Sequence, residues 1–494
     1  MKNFSRLLSL VGLAILVASP TYAMSEILDP TTQFKCSPEA VGCSGLFAPH
    51  VNDGSQMALL TNGESSLAAR LKSLREAKKS ILIQALIFKG DEAGVYISNI
   101  LKERKHEGLD VRVIVDGIAN PEPTSQMMYF DLKSHGVEVV GFEAGYLQWV
   151  HEVSLSDPEQ PNKRFHDKIW VIDGETSDGS AILGGLNIAN EYFRLGEKAK
   201  GRWRDQDMIV KGPIVSDIHA TFERNFTKMR ADRLEIFNTD AYWKLWNKGL
   251  RCVFKLFPCI TDPSGAPRVE MPQDKEILEE LREAENNSKP IHYRNADMRF
   301  FQSRPRLGET FVHETYLKLI ASAREEILIA NAYFLPPPDV IEALQQAVAR
   351  GVRLKLLTNS EETNDVPGMT PGTRHLYGAL LEAAPRKSGA VKIYEWDGPH
   401  HNEGTLHAKF AVFDRKVGLI GSYNLDYRSR FLNSETAVVF EDDYFAKKLA
   451  NHYLARDLRK SRRIFRNEAA LYFDPTKIGD QIKLMMAETF KGVL

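Results

Sequence analysis

The chain repeats itself, and this repeat constrains the fold more than any other feature of the sequence. The stretches 67–88, "LAARLKSLREAKKSILIQALIF", and 316–334, "YLKLIASAREEILIANAYF", both read as a helix followed by a short apolar, β-rich run. In each copy a second helix, an apolar run, a polar helical stretch and another apolar run follow. Strands that alternate with helices of this length indicate β-α-β units. The sequence therefore predicts an α/β fold made of two copies of one domain, each of about 200 residues.

The repeat also predicts where the domains begin and end. A segment near 262–290 is rich in Pro and acidic residues and separates the copies. We expect a first domain over 24–285 and a second over 286–494, after a signal sequence at 1–23.

Each copy contains the motif H-x-K-x-x-x-x-D, as "HDKIWVID" in the first and "HAKFAVFD" in the second. The candidate catalytic residues of these motifs are His166, Lys168, Asp173, His407, Lys409 and Asp414. In a strand, residues i and i+2 point to the same face, so each His should project together with its Lys. The two Asp residues should lie past the strand, at a turn.

Other polar residues recur after each motif. An apolar strand follows, at 181–187 and 417–424, and ends in small residues and an Asn, which is Asn187 in one copy and Asn424 in the other. Small residues at a strand end would let a ligand approach the backbone closely. Further on, each copy has a carboxylate before an apolar run, Asp205 and Glu435.

This residue set points to phosphate chemistry. Lys and Asn donate hydrogen bonds and charge to an oxyanion, and phosphate carries charge on several oxygens. Two His can divide the work, one attacking phosphorus and the other protonating the leaving oxygen, while a buried carboxylate orients each ring. Protonated Lys cannot ligate zinc, so we expect neither a metal nor another cofactor.

These residues resemble the phospholipase D superfamily, whose hallmark is two H-x-K-x4-D motifs. The stretch "GTLHAKFAVFD" with the later "LIGSYNLDYRSRFLNSE" is especially similar to bacterial cardiolipin synthases, and the resemblance covers essentially the whole mature chain. It implies two domains, each a mixed β-sheet flanked by helices, related by a pseudo-twofold axis with one shared active site. His166 is then the nucleophile and His407 the acid, with Asp205 and Glu435 supporting the rings. Asp173 and Asp414 look structural, bracing the motif.

The resemblance implies a phospholipase D-type phosphodiesterase or phosphatidyltransferase that acts on phospholipids through a covalent phosphohistidine. An alcohol or water would be the acceptor, by cardiolipin synthase-like transfer or by hydrolysis. The alternative is a secreted, metal-independent nuclease of the same superfamily. Removing 1–23, which contain Lys2 and Arg6, changes the net charge from −1 to −3, whereas nucleic-acid binders are usually basic. Nucleases of this type carry one motif per chain and dimerise, so we expect a monomer without a specific nucleic-acid partner.

The N-terminus predicts export. Lys2 and Arg6 precede an apolar run at 7–18 and a small residue, Ala23, as in secretory signals. The run is short for a membrane span, which needs about 20 residues, although a retained anchor stays an alternative. We expect a periplasmic or secreted protein, either free or peripheral on a membrane.

The four cysteines fit an exported chain. They form two local pairs, each seven residues apart, and we expect the disulfides Cys36–Cys43 and Cys252–Cys259. Other connectivities and free thiols remain alternatives.

The stretch 242–260 combines aromatic and basic residues and contains no acidic residue. Such a segment suits a membrane surface, the partner expected of a lipid enzyme. A helix packed across the join of the two halves is the alternative.

Overall fold

The computed structural model describes residues 54–116, 119–142, 164–196, 201–231, 271–287, 289–366, 369–385 and 389–472. The predicted signal sequence, both predicted disulfides and the aromatic–basic segment 242–260 lie outside the described residues.

The first half forms one eight-stranded mixed sheet in the order β4-β3-β2-β5-β6-β7-β1-β8. Its strands are β1 Gln56–Leu60, β2 Ser80–Ala85, β3 Asp110–Asp116, β4 Glu138–Phe142, β5 Ile169–Ile172, β6 Ser180–Gly184, β7 Asp207–Lys211 and β8 Arg294–Asn295. Its helices are α1 Gly63–Glu76, α2 Glu92–His106, α3 Pro123–Ser134, α4 Asn190–Phe193, α5 Ile214–Ala231 and α6 Lys275–Asn286.

The second half forms another eight-stranded mixed sheet in the order β16-β12-β11-β10-β13-β14-β15-β9. Its strands are β9 Asp297–Ser303, β10 Glu326–Asn331, β11 Arg353–Asn359, β12 Val391–Trp396, β13 Lys409–Phe413, β14 Val417–Gly421, β15 Glu435–Glu441 and β16 Ser461–Ile464. Its helices are α7 Phe311–Ser322, α8 Pro338–Ala349, α9 Met369–Glu382, α10 Tyr427–Phe431, α11 Asp443–His452 and α12 Arg466–Tyr472.

The two sheets have the same topology apart from one edge strand each. Three strands run parallel, β2-β3-β4 in the first and β10-β11-β12 in the second, and the strands that carry the H-x-K motifs pair antiparallel with their neighbours. The prediction of two tandem α/β domains with mixed sheets is therefore confirmed. The chain passes from one sheet to the other between Asn295 and Asp297, and the boundary at 285/286 stays a prediction.

Local sequence explains the central elements of each copy. In β2 and β10 every side chain is buried, because helices cover one face and the opposite sheet covers the other. Helix α1 begins after Asn62, whose side chain accepts a hydrogen bond from Ser65 N at 3.0 Å in a capping box.

The two sheets face each other across a shared core. Side chains of β2, β5, β13 and β15, among them Leu82, Val171, Phe410 and Val438, pack in one buried cluster. Helix α5 lies in this layer and contacts both β5 and β9. The shared core therefore fixes the relative position of the two H-x-K motifs. Within the described ranges, no helix has both the length and the apolar character that spanning a membrane needs.

Candidate active site

The Asp of each motif lies at a turn, as the sequence predicts. Asp173 follows β5 with a φ of 52°, and Asp414 follows β13 with a φ of 50°. The Asp173 carboxylate accepts hydrogen bonds from the backbone N–H groups of residues 78, 79 and 80 at 2.6–3.1 Å. The Asp414 carboxylate accepts the matching bonds from residues 324, 325 and 326 at 2.8–2.9 Å. Each Asp thus ties the end of the motif strand to the start of a neighbouring strand, away from its His.

The prediction that His and Lys lie within a strand is wrong in detail. The strands begin only at Ile169 and Lys409, so three of the four residues lie before them. The segments that carry the two His residues cross to the opposite half, where Phe165 bridges Ser434 and Leu406 bridges Arg204. This pairing, rather than a regular strand, sets the direction of the imidazoles.

Each imidazole is held by a carboxylate from the other half of the chain. His166 Nδ1 lies 2.9 Å from Glu435 Oε2, and His407 Nδ1 lies 2.6 Å from Asp205 Oδ2. Both carboxylates are fully buried. A ring that donates its Nδ1–H to a carboxylate presents the unprotonated Nε2 to the site. Because the supports are exchanged, neither domain can build half of this site alone.

Hydroxyl and backbone donors fix the carboxylates. Ser429 Oγ donates to Glu435 Oε1 at 2.6 Å, Ser422 Oγ donates to Glu435 Oε2, and the Gln206 N–H donates to Asp205 at 2.7 Å. These bonds leave the carboxylates little freedom to turn away from the rings.

The small residues at the strand ends have a different role from the predicted one. A Cβ on Gly185 would lie 2.3 Å from Asp205 Oδ1, and a Cβ on Gly421 would lie 2.2 Å from the Thr436 carbonyl. These glycines make room for the segment that carries the supporting carboxylate, which for Asp205 lies just before β7 and for Glu435 begins β15. The prediction that they let a ligand approach the backbone is therefore wrong for these two positions.

The motif lysines are buried beside the imidazoles. Lys168 Nζ donates to the His166 carbonyl at 2.8 Å, and Lys409 Nζ donates to the His407 carbonyl. Burial, with a contribution from Lys409, lowers the pKa of Lys168 to about 7, and burial lowers the pKa of Lys409 to about 8. An anion bound between the two ammonium groups would relieve this cost, as phosphate does.

Burial and the nearby ammonium groups also shift the pKa values of the two imidazoles and of the carboxylates that hold them. They lower the pKa of both His166 and His407 well below the usual value, so both rings are neutral at pH 7 in the empty site. Burial raises the pKa of Glu435 to about 7 and raises the pKa of Asp205. The positive charges of both Lys168 and Lys409 act on each imidazole, so the two motifs lie in one site.

The two Asn residues are buried at the same site. Asn187 Oδ1 accepts a hydrogen bond from the Ile87 N–H at 3.2 Å. In the described part of the chain its buried Nδ2 makes no hydrogen bond of good geometry, although it lies near the Tyr192 hydroxyl. Asn424 is held through its backbone N–H, which donates to Ser429 Oγ at 3.2 Å. The Asn187 Nδ2 is thus available to a phosphate oxygen, and the buried Asn424 Oδ1 has no hydrogen-bond partner among the described residues.

Three aromatic rings surround His407. The ring centroids of Tyr192, Trp203 and Tyr333 lie 5.1, 5.4 and 6.3 Å from that of His407. The Tyr333 hydroxyl donates to Asp365 Oδ1 at 2.7 Å. The sequence analysis missed these residues. Placing the two copies side by side could have found them, because the matching positions in the other copy are not aromatic.

Two further buried groups support the site from outside it. Arg204, next to Asp205, forms a buried ion pair with Asp457 at 2.7 Å and so joins the two halves. Asp167, between His166 and Lys168, accepts a hydrogen bond from Ser434 Oγ at 2.6 Å. Burial raises the pKa of Asp167 to about 7. Neither residue stood out in the sequence, because a single Arg or Asp carries no pattern.

Known proteins are similar to this chain in sequence. The family model described as "Cardiolipin synthase, PLD-like domain" matches residues 71–230 and 316–457, together more than half of the chain. A cardiolipin synthase of Geobacillus thermodenitrificans is 28% identical over 409 residues, which cover 82% of this chain and 66% of that protein. The chain thus spans about two thirds of the length of that relative. Cardiolipin synthase B of Escherichia coli K12 is 27% identical over 401 residues, which cover 81% of this chain and 80% of that protein.

A solved structure shows the same fold. The phosphatidylserine synthase of Haemophilus influenzae Rd KW20 superposes with a TM-score of 0.55 at 16% identity, covering 88% of this chain and 93% of that one. The family model matches twice, and each match contains one H-x-K motif together with the carboxylate that holds the other motif's His. The chain therefore belongs to the phospholipase D superfamily, in the family of the cardiolipin synthases.

Proposed function

We propose that this phospholipase D-type phosphatidyltransferase acts on phospholipids and transfers the phosphatidyl group to an alcohol, or to water, through a covalent phosphohistidine. The observation that carries the proposal is the pair of buried imidazoles, each held by a carboxylate of the other half, with two ammonium groups beside them. One site thus contains two bases and a cradle for one phosphodiester.

In the first step His166 attacks phosphorus. Its Nδ1–H donates to Glu435, so the lone pair on Nε2 forms the P–N bond while the bond from phosphorus to the leaving oxygen breaks. His407 Nε2–H gives its proton to that oxygen. Both rings are neutral in the empty site, and the negative charge of the bound diester favours the protonated form of His407.

In the second step an acceptor hydroxyl replaces the leaving group. His407, now neutral, takes the proton of the acceptor, whose oxygen forms the new P–O bond. The P–N bond breaks, and its electron pair returns to His166 Nε2. With glycerol-containing lipids as acceptors this exchange forms a larger lipid, and with water it is hydrolysis.

The chain supplies positive charge to the transition state from its own side chains. Lys168 and Lys409 lie beside both rings, and Asn187 and Asn424 add amide donors. We therefore expect a chelator to leave turnover of a soluble phosphodiester unchanged. Loss of that activity in EDTA, restored by one divalent ion, would contradict the mechanism.

The test is to incubate the purified mature chain with mixed phospholipids, with and without glycerol, and to identify products by mass spectrometry. We expect new phosphatidyl esters or phosphatidic acid, and none with a His166→Asn variant. Single-stranded and duplex DNA serve as parallel substrates. Cleavage of DNA with no change in any lipid would support the nuclease alternative and refute the lipid assignment.

We also propose that the enzyme is exported and acts from the periplasm or outside the cell. Support comes from the basic and apolar N-terminal segment and from the two close cysteine pairs. N-terminal sequencing of the protein from fractionated cells tests this, and a mature chain that begins after Ala23 is the expected result. A chain recovered from the cytoplasm with Met1 intact would refute it.

A further inference from the structure

The same short helix occurs in both copies, and in the first copy it is internal. Helix α4 follows Asn187 and places Phe193 and Arg194 in the interior, with Phe193 fully buried. Arg194 forms ion pairs with Glu64 at 2.8 Å and with Glu403. This helix therefore presents no aromatic side chain to solvent.

In the second copy the matching helix faces solvent. Helix α10 follows Asn424, so Arg430 and Phe431 occupy the positions of Phe193 and Arg194. The Phe431 side chain is 48% exposed, and the Arg430 guanidinium lies 5.0 Å from its ring centroid. Tyr427, one turn earlier, packs on Phe431 with centroids 5.7 Å apart. We call Tyr427, Arg430 and Phe431 the α10 patch.

The α10 patch lies beside the active site. Ser429, on the same helix, donates to the Glu435 carboxylate that holds His166. Arg428 lies close enough to His166 to lower the pKa of its imidazole.

The partly exposed charged side chains around α10 are mainly arginines, and the carboxylates near Arg428, which are Asp116, Asp426 and Glu435, are buried. Arg164 lies near Arg428, and Arg306 lies on the turn Pro305–Leu307, which packs against α10. Asp339 is an exposed acidic residue near Arg430, and its Oδ2 lies 2.7 Å from His313 Nε2. Asp426 is buried and caps α10 by accepting a hydrogen bond from the Ser429 N–H at 2.8 Å. The surface next to the His166 side is therefore both aromatic and positive.

We propose that the α10 patch is the surface on which the enzyme rests on an anionic phospholipid bilayer, an inference that rests on the proposed lipid substrate. Exposed aromatic rings insert at the boundary between headgroups and acyl chains, and Arg side chains lay their stems along apolar groups while the guanidinium meets phosphate. With the patch in the headgroup layer, the diacylglycerol part of the phosphatidyl group, still bonded to phosphorus, extends from the site on the His166 side and stays in the bilayer.

The experiment compares two matched pairs of side chains. The test variant is Arg430→Gln/Phe431→Ser. The control variant is Arg463→Gln/Phe465→Ser, at the far edge of the second sheet, where Arg463 lies 4.9 Å from the ring of Phe465, itself 54% exposed. Binding of the full chain is measured by flotation with vesicles of phosphatidylcholine alone and with about one quarter phosphatidylglycerol, at low and high salt.

We expect the test variant to bind anionic vesicles about tenfold more weakly, and the control variant to change by less than about twofold. Hydrolysis of soluble bis(p-nitrophenyl) phosphate should stay unchanged in both. Equal loss in both variants, no loss in the test variant, or loss of soluble turnover along with binding would refute the docking surface. Wild-type protein that binds vesicles through the patch but converts no lipid would refute the proposed function and leave the docking surface intact.

Discussion

The two halves of the site contain the same reactive groups but differ in the side chains that line the site around each His, which we call the wall of that His. Each half contributes one His, one Lys, one Asn and one carboxylate, and each Asp at the motif turn accepts the same three backbone bonds. The aromatic residues around His407 have non-aromatic counterparts near His166, paired as Tyr333 with Ile87, Tyr192 with Ser429, and Trp203 with Asn433. Near His166 there is instead a guanidinium, Arg428, where the first copy has Glu191.

We propose that this difference gives the two imidazoles different roles, His166 as nucleophile and His407 as acid. A basic wall suits the ring that must approach an anionic phosphate and stay bonded to it. An aromatic wall suits the exchange of one alcohol for another, since rings pack on carbon chains and exclude bulk water. In the proposed mechanism, the residues that both halves share carry out the bond chemistry, and the residues that differ determine which His attacks.

The largest expected effect comes from removing each imidazole in turn. His166→Asn and His407→Asn should each lower turnover of phospholipid by at least about 10⁴-fold, because each ring takes part in both steps, His166 as nucleophile and leaving group and His407 as acid and base. Only the His407 variant should still form a phosphoryl-enzyme, with a good leaving group such as p-nitrophenolate. Intact-protein mass spectrometry after acid-free quenching detects it.

The reverse outcome breaks the assignment. A phosphoryl group that accumulates on His407 in the His166 variant would mean that the aromatic wall surrounds the nucleophile. Circular dichroism and melting of both variants serve as controls, because the rings are buried at the join of the two halves.

The exchanged carboxylates should give smaller and unequal losses. Asp205→Asn weakens the acid. We therefore expect kcat/KM, which reports the step that breaks the bond to the leaving group, to fall about 10²–10³-fold for an alkyl diester and only about tenfold for bis(p-nitrophenyl) phosphate, whose leaving group needs no proton. Glu435→Gln weakens the nucleophile and should lower both rates by similar factors. If both variants lost the same fraction of activity on the two substrates, the assignment of His407 as acid and His166 as nucleophile would be contradicted.

The sequence predicts the repeat, the two α/β domains and the members of the site, because these depend on local periodicity and on residue types repeated at matching positions. The mixed sheets followed only from the family resemblance. It cannot predict which carboxylate holds which ring. His166 and Glu435 are 269 residues apart, and only the packing of the two sheets on a shared core brings them together. Arg204 and Asp457 were missed for the same reason.

The dependence of kcat/KM on pH should reflect titrating groups from both halves of the site. As the pH is raised, kcat/KM should first increase, because the His166 imidazole, whose pKa is well below the usual value, loses its proton and becomes the nucleophile. At higher pH kcat/KM should decrease, because Lys168 and Lys409, with pKa values of about 7 and about 8, lose their positive charge. The limbs belong to the coupled cluster rather than to single groups. Because the Glu435 carboxylate raises the pKa of Lys168, Glu435→Gln should move the alkaline limb to lower pH. A wild-type rate that still rises above about pH 9 would contradict this mechanism.

Substitutions in the wall around each His should change the choice of acceptor, alcohol or water, more than they change the overall rate. Trp203→Leu removes an aromatic ring next to His407, and we expect the ratio of transfer to glycerol over hydrolysis to fall about fivefold. The matched change on the other wall, Asn433→Leu, should leave this ratio within about twofold, since it lies by His166. Both products are measured in one reaction, so a loss of folded enzyme does not alter the ratio. Equal shifts would show that the aromatic wall does not bind the acceptor.

The smallest effect on activity should come from the two motif Asp residues, where the halves are most alike. Asp173→Asn and Asp414→Asn each remove a charged acceptor from three backbone N–H groups, which should cost about 1.5–3 kcal/mol of stability. Asn tolerates the left-handed backbone at both positions, so the loss of stability measures the weakened hydrogen bonds and not backbone strain. Since the two sheets share one core, both variants should lower the same single melting transition by similar amounts, while Asp443→Asn, at an exposed ion pair, should change it little. Two separate transitions, each sensitive to only one Asp, would mean that the halves fold independently and that the site assembles only when they dock.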